Sequence, residues 1–122
     1  LILVDTSVWI DHLRSADATL QALLQNDQVV THPCVRLELA LGSIAKRDTV
    51  LADLALLPQA PVALAEELLA FVERRKLYRK GIGLTDLHLL GSAIIDPLIS
   101  IWTRDRRLGE IAEEFGVRAS LP

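Results

Sequence analysis

The sequence has one cysteine, no methionine, six glycines and five prolines in 122 residues, and its basic residues do not outnumber its acids. Each shortage narrows what the chain can be. A single thiol, Cys34, excludes an intrachain disulfide and a thiolate zinc site, and it suits a reducing, cytoplasmic setting. So few glycines and prolines exclude collagenous and linker-like chains. No apolar run reaches the ~18 residues that a membrane span needs, and the start lacks the basic flank and apolar stretch of a signal peptide. Thirteen Lys and Arg stand against sixteen Asp and Glu, a formal charge of −3. Taken alone, that balance argues against a nucleic-acid binder. What the chain does have is apolar residues, 51% against 24% charged. At this length we expect a single domain over residues 1–122, burying roughly two-thirds of its unfolded surface without staples.

Short apolar runs recur, each followed by a helical pattern. Leu1-Ile2-Leu3-Val4 reads as a strand and ends in Asp5-Thr6-Ser7, a group of helix-starting residues. Gln28 to His32 reads as a second strand, Leu98 to Trp102 as the clearest one, and Val117 to Ala119 as a possible last one. Helices are expected over Pro33 to Leu41, Arg47 to Leu57, Ala65 to Tyr78, Thr85 to Ile95 and Asp105 to Phe115, besides two short ones before Gln28. Strands separated by helices pair in parallel, because a parallel connection needs a crossover. The fold class is therefore α/β, a small, mainly parallel sheet flanked by helices. Such sheets bind ligands in the crevice beyond the carboxyl ends of their strands.

Four acids stand where that crevice is expected. Asp5 and Asp105 follow strands, where each could equally cap a helix. Glu38 shares a helical face with Val35, Leu39 and Gly42, and Asp86 with Leu89, Leu90 and Ala93. Both faces are apolar. A carboxylate buried there needs a cationic partner, takes up a proton, or serves a site. The structural alternatives are an Arg partner for Glu38 and, for Asp86, a place in the first turn beside a Thr85 cap. If all four acids meet, they cannot stay ionised together without a cation. Oxygen donors suit Mg²⁺ or Mn²⁺, one or two ions, and such sites hydrolyse phosphodiesters.

Four ordered segments around these acids resemble the PIN-domain ribonucleases, and among them the VapC toxins of toxin–antitoxin pairs. They are Val4 to Ile10, Arg36 to Ala40, Gly83 to Ala93 and Trp102 to Leu108. The resemblance implies a PIN-like fold and a metal-dependent endoribonuclease, a homodimer whose site is blocked by a cognate VapB-type antitoxin. It also implies that Asp5, Glu38, Asp86 and Asp105 are the metal ligands and catalytic acids, supported by the hydroxyls of Thr6, Ser7 and Thr103. Arg107 departs from the pattern, since many relatives carry a further acid there. The alternative within this resemblance is a catalytically silent domain that only binds RNA or protein.

Five of the thirteen basic residues lie between Glu73 and Lys80. Arg74, Arg75 and Lys76, with Arg104, Arg106 and Arg107, would form a phosphate-tracking rim for RNA, or else a solvated face that favours a helix C-terminus. His12, His32 and His88 suggest metal-free acid–base cleavage, but His88 lies two positions from Asp86 and should point away from it on a helix. Trp9 and Trp102 read as core. A dehalogenase-like phosphatase would need an acid where Ser7 stands, and a receiver domain would need an acidic pair that is absent. One bound divalent ion would bring the formal charge of −3 to −1, and two to +1.

Overall fold

A computed structural model describes residues 1–122. Its centre is a three-stranded parallel sheet in the order β2-β1-β3, with β1 at Ile2–Val4, β2 at Val29–Val30 and β3 at Ser100–Trp102. β1 lies in the middle, flanked on both sides, so Leu3 and Val4 are fully buried, as are Ile101 and Trp102 next to them. An uninterrupted apolar run is what a strand covered on both faces requires. The ladder continues past its end, since the Asp5 amide donates to the Trp102 carbonyl at 2.9 Å.

Seven helices surround the sheet: α1 (Thr6–Arg14), α2 (Ala18–Gln25), α3 (Pro33–Leu41), α4 (Arg47–Ala55), α5 (Ala65–Arg75), α6 (Leu84–Ile95) and α7 (Arg106–Glu114). One apolar core joins them, with Val8, Leu20, Val35, Leu89, Leu90 and Leu108 wholly buried. Pro33 occupies the first turn of α3, where no amide is needed. Trp9 and Trp102 are core residues, as expected, and both indole nitrogens are buried without partners.

Several expected boundaries move, each for a local reason. β2 stops at Val30 because the Thr31 amide bonds to Pro58 and Thr31 bridges to Gln59, while His32 becomes the cap of α3. The helix expected to reach Tyr78 ends at Arg75, where Lys76 turns left-handed at φ 55° and the Leu77 amide closes onto Val72. α6 starts at Leu84 with Gly83 as its cap, so Thr85 is inside the first turn and is not the cap. Val117 to Ala119 makes only a single parallel bridge, Ile101 to Arg118.

Candidate active site

The carboxyl ends of β1 and β3 are adjacent, so the residues that follow them share one edge. Asp5 caps α1 by position, yet its side chain makes no capping bond. Its Oδ2 accepts from Ser7 Oγ and from Thr103 Oγ1, each at 2.7 Å. Asp5 is 5% exposed and has no cationic partner among the ion pairs. A buried carboxylate satisfied only by hydroxyls is poised for a cation.

Asp105 is exposed and caps α7, its Oδ1 accepting from the Leu108 amide at 2.9 Å. That bond uses one oxygen and leaves the other available. Thr103 ties the two acids together, donating to Asp5 and accepting from the Asp105 amide at 3.0 Å. Ser7 Oγ likewise accepts from the Arg104 amide at 3.0 Å. The expected hydroxyl residues therefore do hold acids, and Thr6 completes the set by donating to Glu38 Oε1 at 2.6 Å.

Glu38 corrects one expectation. Its neighbours Val35 and Leu39 are buried, but Glu38 itself is exposed and pairs with no arginine. It meets the start of α1, where Thr6 donates to it. Asp86 is half-buried in the first turn of α6, with the Gly83 amide at 3.4 Å from Oδ2. Burial pushes its carboxyl up to about 6; the Gly83 contact works against this, and the charges of Asp5, Asp105 and Glu38 add to the rise. The charges of all three other acids thus reach Asp86.

The four acids do not draw three carboxylate oxygens within 4.8 Å of one another. Their donors are all oxygen, the chemistry of a hard divalent ion that keeps several waters and uses few protein ligands.

The basic residues divide. Arg104 does not face RNA as part of a free rim: it is clamped by Asp11 at 2.8 Å and Asp17 at 2.7 Å, and lies over Trp102. Asp11 and Asp17 were not singled out in the sequence, where nothing marks them as a pair. Arg75 covers the Phe115 ring, 4.8 Å from its centroid. Arg107 reaches the loop before α6, donating to the Gly81 carbonyl at 3.3 Å. Gly81 has φ +77°, and a side chain there would collide with the Arg107 guanidinium. Arg74 and Lys76 are exposed.

The histidines are engaged away from the acids. His12 Nδ1 accepts from the Asp17 amide, and His32 Nδ1 from the Cys34 amide. His88 meets the His32 ring, with centroids 5.2 Å apart. The exclusion of any thiolate metal site does not survive in that form: His32, Cys34 and His88 each offer a donor atom within 4.8 Å of the others. One thiol rules out an all-cysteine set but not a mixed one.

A family model described as PIN domain matches residues 2–114, nearly the whole fold just described. The chain belongs to the PIN domain family. It is also 52% identical over 117 residues to ribonuclease VapC32 from two strains of Mycobacterium tuberculosis, a match covering 96% of this chain and 94% of each relative. That likeness places it among the VapC-type PIN ribonucleases. In this PIN domain no helix is long and apolar enough to cross a membrane.

Proposed function

We propose that the chain is the toxin of a VapBC-type pair, a Mg²⁺- or Mn²⁺-dependent endoribonuclease acting in the cytoplasm as a homodimer and held in check by a VapB-type antitoxin. The observation that carries this reading is Asp5, buried, held by the Ser7 and Thr103 hydroxyls and without a cationic partner, with the charges of Asp5, Glu38 and Asp105 reaching Asp86. The likeness to a ribonuclease supports it.

Asp5, Asp86, Glu38 and Asp105 would hold one or two ions. When bound, such an ion neutralises the acids, lowers the pKa of a water and stabilises the leaving oxygen. The rest falls to the chain. Ser7 and Thr103 fix the Asp5 carboxylate in one orientation, and Thr6 fixes Glu38. Arg107, which donates to the Gly81 carbonyl before α6, would meet a phosphate, with Arg74, Arg75 and Lys76 adding positive field. Arg104 contributes through structure, by tying α1 and α2 to the end of β3. Hydrolysis in this manner leaves 5′-phosphate and 3′-hydroxyl ends.

The test is brief expression in cells followed by mapping of cleaved RNA ends. Discrete cuts with 5′-phosphates, abolished by co-expression of a cognate VapB-type antitoxin, support the proposal. Ends carrying 2′,3′-cyclic phosphate, or no new ends at all, contradict it.

A further inference from the structure

We propose that His32, Cys34 and His88 form a second metal centre, separate from the four acids, that takes a borderline transition ion such as Zn²⁺ through one thiolate and two imidazoles. His32 sits at the junction of β2 and α3, Cys34 follows it across Pro33, and His88 comes from the middle of α6. One donor atom from each lies within 4.8 Å of the others. His32 is wholly buried with Nε2 unpartnered, and Nδ1 of His88 is likewise buried without a partner. Two orphaned imidazole nitrogens beside a thiol have no counterpart elsewhere in this core, and buried polar nitrogens are normally satisfied.

The donor chemistry selects the ion. Nitrogen and sulfur with no carboxylate disfavour Mg²⁺ and suit Zn²⁺, Co²⁺ or copper. Around one zinc, with bonds of about 2.0–2.3 Å, donors lie roughly 3.5 Å apart, so the cluster closes by about 1 Å through side-chain rotation. Burial keeps the His32 ring neutral, as a ligand must be, pushing its pKa down to about 4. Cys34 and His88 are only partly buried.

Protons balance as follows. The Cys34 thiol gives its proton to solvent as the sulfur–metal bond forms. His32 Nδ1 accepts from the Cys34 amide at 3.0 Å, so its proton resides on Nε2. Coordination through Nε2 moves that proton to Nδ1 and gives up this one capping bond. About one proton is released per ion. The site would join α3 to α6, the two helices that also carry Glu38 and Asp86.

The experiment titrates the full chain with Co²⁺ in excess Mg²⁺, which occupies the acids. The expected result is one equivalent bound with a thiolate-to-cobalt charge-transfer band and intense tetrahedral d–d bands, both removed by Zn²⁺. Cys34→Ser should abolish the charge-transfer band and weaken Zn²⁺ by at least ~100-fold, since loss of even an outer-sphere partner costs 10–100-fold. His88→Gln, a second partly exposed position, should weaken it comparably, whereas Asp5→Asn should leave the spectrum intact. Weak octahedral cobalt bands indifferent to Cys34→Ser, or no binding in the presence of Mg²⁺, would overturn the proposal.

Discussion

Thr103 joins Asp5 to Asp105 across the ends of two neighbouring strands, donating its hydroxyl to the first at 2.7 Å and accepting the amide of the second at 3.0 Å. One oxygen thereby fixes the relative position of two acids. Thr103→Val keeps the shape and removes both bonds. Mg²⁺ affinity, measured by calorimetry, should fall 10–100-fold, as for other outer-sphere partners, while Thr103→Ser should restore most of it. An unchanged affinity in the valine variant would remove Thr103 from the site.

The charge on Asp86 has an effect on stability. With chelator present, burial raises its carboxyl to about 6, and the charges of Asp5, Asp105 and Glu38 add to the rise. Asp86→Asn should therefore stabilise the metal-free chain by about 1 kcal/mol, discounted for its partial exposure, in urea unfolding. In saturating Mg²⁺ the order should reverse, because the wild-type chain gains binding energy that the variant loses. A variant less stable than wild type in chelator would show that the Asp86 charge carries no cost in this fold.

His32 makes stability depend on pH in metal-free solution. Burial, with His88 beside it, holds its folded pKa at about 4, against about 6.5 when unfolded. Between those values the unfolded chain binds the extra proton, so this contribution is intact above pH 6.5 and is lost as pH falls toward 4. The loss should reach about 2 kcal/mol by pH 5 and roughly 3 kcal/mol in full. His88, Cys34 and, through Cys34, Glu38 are the titratable groups around it. Comparing urea midpoints of wild type and His32→Asn, which keeps a capping acceptor, isolates this contribution. Parallel pH profiles for the two would contradict it.

Arg104 and Arg107 should separate by phenotype. Arg104, held by Asp11 and Asp17 and stacked on Trp102, is structural; Arg104→Ala should cost about 1–2 kcal/mol of stability, less at high salt. Arg107→Ala should leave stability nearly unchanged and weaken RNA binding, with the salt slope shallower by about one. Equal effects on stability would remove the distinction.

Much of this was legible in the residues. The apolar run before Asp5 announces a buried strand, and the spacing from it to Trp102 announces a parallel crossover. Thr6, Ser7 and Thr103 follow from the resemblance to the PIN-domain ribonucleases, since the residues alone leave helix capping as an equal use for Ser7. Glu38 was misplaced toward the core because helical spacing gives a face, while the exposure of that face depends on where the helix ends relative to the sheet. The Arg104 clamp escaped notice for a related reason: Asp11 and Asp17 lie about 90 residues away in sequence, and only the packing of α1 and α2 beside β3 makes them its partners. His32, Cys34 and His88 escaped because a lone cysteine was weighed against other cysteines, although His32 stands only two positions before it.

The formal charge of −3 was the main objection to an RNA-cutting enzyme, and it turns on whether the acids bind a cation. Cleavage of a labelled RNA by the purified chain tests this most directly, run with Mg²⁺, with EDTA, and with Asp5→Asn in Mg²⁺. Cleavage with Mg²⁺ alone, absent with EDTA and lost by at least ~1000-fold in the variant, is the predicted result. Equal cleavage in all three would contradict the account.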